Sequence, residues 1–166
     1  MPKDWNSILT DSLKSGWLTT GPIVNEFEHK LSIVLGFKNT IAVNSCTGAL
    51  HLALAAKGFG KGDKFIAPTY TFVATVGCGE YLGMEPILID CVNDNYNFKL
   101  DDIEKYLKKD SSIKAIIPVH FAGLQVDMDD LFSLAEKYNI FILEDAAHLI
   151  GHQSPKNNFK YKNYAQ

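Results

Sequence analysis

From residue 40 onward the chain alternates short apolar runs with helix-like segments, and this rhythm restricts the fold more than any other feature. "TIAV", "KFIA", "PILID", "IKAIIPV" and "IFILE" read as strands. They are short, apolar and β-branched, as parallel strands buried on both faces are. Between them, "TGALHLALAAKG", "TFVATVGCGEYLG", "LDDIEKYLKK" and "MDDLFSLAEKYN" read as helices. The first is apolar nearly all round, which predicts burial. Two glycines weaken the second, and the third is amphipathic. The alternation predicts an α/β fold, three layers with a mostly parallel, doubly wound sheet.

Residues 1–36 are organised differently. "DWNSILTDSLKSG" predicts a helix with Asp4 as N-cap, an apolar face of Trp5, Ile8, Leu9 and Leu13, and a stop at Gly16. "WLTTGP" reads as a loop. Pro22 suits the first turn of a second helix, whose apolar face is Ile23, Phe27, Leu31 and Val34 and whose end is Gly36. The expected organisation is an N-terminal helical segment over 1–36 and a sheet-bearing domain over 37–166.

The bulk numbers exclude several classes of function. With 46% hydrophobic and 21% charged residues the composition is globular, and a net charge of -3 gives no electrostatic case for nucleic acid or an anionic membrane. No apolar stretch is long enough to span a bilayer, and "MPKDWNSILTD" lacks the apolar core of a signal peptide, so a cytoplasmic location is the default expectation. Cys46, Cys78 and Cys91 form no C-x-x-C pair and read as small buried thiols, with neither a disulfide framework nor a metal site expected. The acidic "DMDDL" reads as a helix start that satisfies its dipole.

In doubly wound sheets, ligands bind beyond the carboxyl ends of the strands. Here each predicted strand ends in polar or aromatic residues: "NSCTG", "PTYTF", Asp90, "HFAG" and "EDAAH". "NSCTGAL" joins a strand to a helix, and its unpaired N–H groups either bind a phosphate or are capped by Ser45 or Thr47. Tyr70 and Phe72 either stack on a flat ligand or belong to the core. A carboxylate at the "EDAAH" strand end needs a cationic or hydrogen-bonding partner, and the protonated nitrogen of a heteroaromatic cofactor is one such partner. The alternative is that Glu144 or Asp145 caps the following turn. His120 carries no assigned role.

Taken in order, "WLTTGPIVNEFE", "VNSCTGALHLAL", "GDKFIAPTYTFVAT", "PILID", "IIPVHFAGLQVDM" and "ILEDAAH" resemble the DegT/StrS group of sugar-nucleotide aminotransferases, fold-type I enzymes dependent on pyridoxal 5'-phosphate (PLP). The resemblance covers about Gly16 to Gly151. It implies that backbone N–H groups of Thr47 and Gly48 hold the PLP phosphate and that Phe72 stacks on the pyridine ring. It further implies that Asp145 pairs with the ring nitrogen, that Ala147 lies near the other face and that His148 lies near the phenolic oxygen. Thr19, Thr20 and Gly21 fall in the substrate-side loop. The implied reaction moves an amino group, usually from glutamate, to a nucleotide-linked keto-sugar, within a homodimer.

The resemblance also implies a Schiff-base lysine in an F-S-F-x-x-x-K segment roughly thirty residues beyond "EDAAH". The sequence stops at Gln166, and Lys156, Lys160 and Lys162 lack that context. The expectation is therefore an N-terminal portion, without the catalytic lysine or the C-terminal small domain, and inactive alone. Two other readings stand beside it: a sugar dehydratase of the same group, and a non-catalytic remnant that binds PLP, a nucleotide-sugar or a partner.

Overall fold

The computed structural model describes residues 4–92 and 96–150. The three C-terminal lysines and part of the "CVNDNYN" loop lie outside them. The chain divides into two compact units, one running to Ala42 and one beginning at Val43.

The first unit contains α1 (Trp5–Lys14) and α2 (Pro22–Leu35). Pro22 occupies the first turn of α2, where its missing N–H costs nothing. Gly36 turns left-handed at φ 71°, and the Phe37 N–H closes on the Ser32 carbonyl at 3.0 Å. Asp4 does not cap α1 through its side chain: at φ -111° and ψ 12° it is not extended, as a capping residue needs to be. Neither helix buries a residue, so the apolar faces built on Ile8, Leu13, Phe27 and Val34 remain exposed. "TIAV" is not a strand. Its Ala42 N–H donates to Glu28 Oε1 at 2.7 Å instead of to a neighbouring strand, and Ile41 is exposed.

The second unit runs α3 (Cys46–Ala56), β1 (Lys64–Pro68), α4 (Val73–Glu80), β2 (Glu85–Ile89), α5 (Leu100–Leu107), β3 (Ile113–Ile116), a 3-10 turn (Phe121–Gly123), α6 (Met128–Tyr138) and β4 (Phe141–Ile142). All strand pairs are parallel, in the order β2-β1-β3-β4. Alternate residues of each central strand face opposite layers. Ile66 and Ile116 join Ile103, Leu107 and Leu131 of α5 and α6, whereas Phe65, Ala67, Ala115 and Ile117 join Leu50, Leu54 and Cys78 of α3 and α4. Helices therefore cover both faces of the sheet, giving the three-layer α/β/α arrangement that the alternation predicts.

Two expectations are corrected in detail. In α3 only Leu50 and Leu54 are buried, while Leu52 is exposed, because the helix turns one face alone to the sheet. The ladders of β3 and β4 are shorter than "IKAIIPV" and "IFILE", since Pro118 has no N–H to donate. The two chains still run side by side past that point: Leu143 N–H reaches Ile116 O, Asp145 N–H reaches Pro118 O, and His120 N–H reaches Asp145 O, at 2.9–3.1 Å. The second glycine of α4 also has a packing reason. A Cβ on Gly79 would stand 2.3 Å from Phe65 Cε1.

Candidate functional site

After β1 the chain crosses to β2 on one side, then returns past β1 to form β3 on the other. This reversal leaves a crevice beyond the strand ends, where ligands of such sheets bind. A cavity of about 220 Å³ lies in this unit, lined by Cys46 and Thr47 at the start of α3, Phe72 after β1, His120 and Phe121 after β3, and Asp145, Ala147 and His148 after β4. Five of the six residues expected to hold a cofactor thus share one cavity. The sixth, Gly48, sits one residue further into α3 and donates its N–H to Ser45 Oγ at 3.1 Å. Ser45 is therefore a true N-cap, whereas Thr47 lines the cavity at a helix position whose N–H has no partner in its own ladder.

Asp145 is buried, with 7% of its surface exposed, so its hydrogen bonds decide whether the site is reasonable. Thr75 Oγ1 donates to Oδ2 at 2.6 Å, and the Ala147 N–H and Cys46 thiol approach Oδ1 at 3.3 and 3.8 Å. Every one of these donors is neutral, and no ion pair reaches Asp145 among the described residues. Of the three cysteines only Cys78 is buried as expected, and Cys46 is exposed. Partial desolvation at the cavity, followed by the nearby Asp145 carboxylate, nevertheless pushes the Cys46 thiol up, so it stays protonated. Burial pushes the Cys78 thiol up to about 11.

The residue before it is tied down separately. Glu144 Oε2 lies 2.9 Å from His120 Nε2, and the Val126 N–H points at His120 Nδ1 at 3.2 Å. Since Nδ1 accepts, the proton of the neutral ring sits on Nε2 and is donated to Glu144. This pair rules out a capping role for Glu144 and gives His120 a structural one. His148 Nδ1 accepts the Ala122 N–H at 3.3 Å, which sets that ring beside the 3-10 turn.

Phe72 is 73% exposed and stands at the cavity, so it is not core. Tyr70 stacks on Tyr96 at 5.1 Å and meets Phe121 edge-on at 4.7 Å. Thr19 and Gly21 border a separate hollow of about 310 Å³ within the first unit, which Thr20 does not line. Gly21 is packed there against Trp17, whose Cε3 would lie 3.2 Å from an added Cβ. Sequence reasoning missed Thr75, Cys46 and the His120–Glu144 pair. The available signal for Thr75 was its spacing of four from Thr71, one helical turn.

The model of the DegT/DnrJ/EryC1/StrS aminotransferase family matches residues 2–158. The chain belongs to this family. It is 40% identical over 142 residues to the spore coat polysaccharide biosynthesis protein SpsC of Bacillus subtilis, covering 86% of this chain and 36% of that protein. It is 39% identical to the UDP-4-amino-4-deoxy-L-arabinose–oxoglutarate aminotransferase of Shewanella sediminis, over 87% of this chain and 37% of that one. The crystal structure of NtdA from Bacillus subtilis with bound cofactor PMP superposes with a TM-score of 0.85 at 34% identity, over 90% of this chain and 34% of that one. The chain thus spans little more than a third of these relatives. No helix among the described residues is long and apolar enough to cross a membrane.

Proposed function

We propose that this chain forms the non-covalent half of the PLP site of an aminotransferase acting on nucleotide-linked keto-sugars. The carrying observation is Asp145: a buried carboxylate at the sheet's switch point, held by neutral donors alone among the described residues and open to a cavity bounded by an aromatic ring and a helix start. A carboxylate so placed suits the protonated nitrogen of a pyridine ring. The Thr47 N–H at the start of α3 suits the phosphate, and a phosphate bound there would share the Gly48 N–H with Ser45 Oγ or displace Ser45 from it. Phe72 supplies one ring face, Ala147 leaves room at the other, and His148 offers Nε2 to a phenolic oxygen.

Bound there, PLP supplies the electron sink that amino transfer needs. Asp145 holds the ring-nitrogen proton, and Phe72 keeps water from one face. Among the described residues no lysine lines the cavity, and on this reading the stretch by itself holds the cofactor without a covalent bond. The lysine comes from the F-S-F-x-x-x-K segment that the family resemblance implies.

Glutamate as amino donor, the substrate-side role of Thr19, Thr20 and Gly21, a homodimer in the cytoplasm and a partial cofactor domain over 37–166 complete the proposal. The names of the relatives, with a nucleotide sugar, oxoglutarate and a spore coat polysaccharide among them, support its substrate side. The test is a PLP titration of the 166-residue chain, followed by absorption. A saturable band that weakens in Asp145→Ala is expected. A folded chain that never binds PLP, or that transaminates unaided, overturns the reading.

A further inference from the structure

Behind Asp145 lies a pair of hydroxyls whose hydrogen bonds have only one possible direction. Thr75 is fully buried on α4, with Oγ1 2.6 Å from Asp145 Oδ2 and 2.7 Å from Thr71 Oγ1. A carboxylate only accepts, so the single hydroxyl proton of Thr75 goes to Asp145. Thr75 must then accept from Thr71, one turn earlier in the chain. The 2.6 Å contact has the length of a charge-assisted O–H···O⁻ bond. With the Ala147 N–H and the Cys46 thiol on Oδ1, three of a carboxylate's roughly four acceptor positions are filled. Little remains but a single position for a donor in the cavity.

We propose that Thr75, backed by Thr71, is a positioning residue that aims the Asp145 carboxylate at a protonated ring nitrogen. Hydrogen bonds donated to the charged form of a carboxylate favour that form, and a chain of hydroxyls polarises its last member. The proposal rests on the PLP reading above but is tested separately from it.

The experiment compares the wild-type chain with Thr75→Val, Thr75→Ser and Thr71→Val, each checked for folding by circular dichroism. PLP affinity and the pH at which the bound cofactor's absorption changes are measured for each. Thr75→Val removes the donor at nearly constant volume. It is expected to weaken PLP binding about tenfold and to shift the pH at which the bound cofactor's absorption changes by about one unit. Thr75→Ser restores both, and Thr71→Val shifts both in the same direction by less. A folded Thr75→Val chain that titrates like wild type overturns the proposal. So does a Thr75→Ser chain as impaired as Thr75→Val, which would mean packing alone. If Thr75→Val does not fold, Thr71→Val decides: a wild-type titration there overturns the proposal. A wild-type chain that binds no PLP overturns the cofactor reading itself.

Discussion

His120 and Glu144 meet at 2.9 Å across the ends of β3 and β4, and the same imidazole accepts the Val126 N–H at 3.2 Å on its other nitrogen. The ring is 1% exposed, so neither bond has water as a substitute. Because Glu144 precedes Asp145, the pair anchors the segment on which the buried carboxylate sits. His120→Phe removes both partners and leaves a buried N–H and a half-buried carboxylate unsatisfied. A loss of about 2–4 kcal/mol in urea unfolding is expected, with His120→Gln losing less because it keeps one donor and one acceptor.

Gly79 packs directly against the Phe65 ring where α4 meets the sheet. An added Cβ would come within 3 Å of three Phe65 ring atoms, and Phe65 is completely buried. Gly79→Ala is expected to destabilise by about 1–3 kcal/mol despite alanine's better helix propensity. Combining it with Phe65→Leu should cost less than the sum of the two single changes, because the smaller side chain makes room. Strict additivity in that double-mutant cycle would show that the contact is not the cause.

Glu104 ties α5 to α6. Its Oε1 accepts from Lys137 Nζ at 2.6 Å and Tyr138 OH at 3.0 Å, and its Oε2 accepts from Lys108 Nζ at 2.9 Å. The Lys137 hydrogen bond, then those from Lys108 and Tyr138, lower its carboxyl from 4.5 to about 2. The folded value is below the unfolded one, so the stabilisation is complete above roughly pH 5 and disappears as pH falls through about 2. Unfolding of wild type and Glu104→Gln across this range should give a constant difference near neutrality that closes in acid. A difference that persists undiminished to pH 2 would contradict the assignment.

Ser45 separates capping from cofactor binding. Ser45→Ala removes the acceptor for the Gly48 N–H at 3.1 Å and should cost about 1 kcal/mol of stability. The freed N–H then faces no competitor, so PLP affinity should hold or rise. An affinity that falls in parallel with stability would mean that the phosphate is not held at this helix start.

Much of this could be read from the chain. The apolar runs "KFIA" and "PILID" became strands, and residues after β1, β3 and β4 line one cavity, whereas Asp90 after β2 does not. "TIAV" shows where such reading stops. Four apolar residues specify a preference for extended backbone, but a strand exists only where a neighbour accepts and donates, and Glu28 took the Ala42 N–H instead. The helix faces of α1 and α2 likewise announced amphipathic helices without saying what would cover them.

The sequence by itself determined most of the kinds of element, the helix boundaries at Pro22 and Gly36, and the polar chemistry at each strand end, since all of these depend on near neighbours in the chain. Only the tertiary structure decided which polar groups meet. Thr75 and Asp145 are 70 residues apart, and His120 and Glu144 are 24 apart. Their pairing follows from the strand order β2-β1-β3-β4 and the packing of α4 on the sheet. Local residue patterns do not record that order, because it is settled by which apolar faces bury one another.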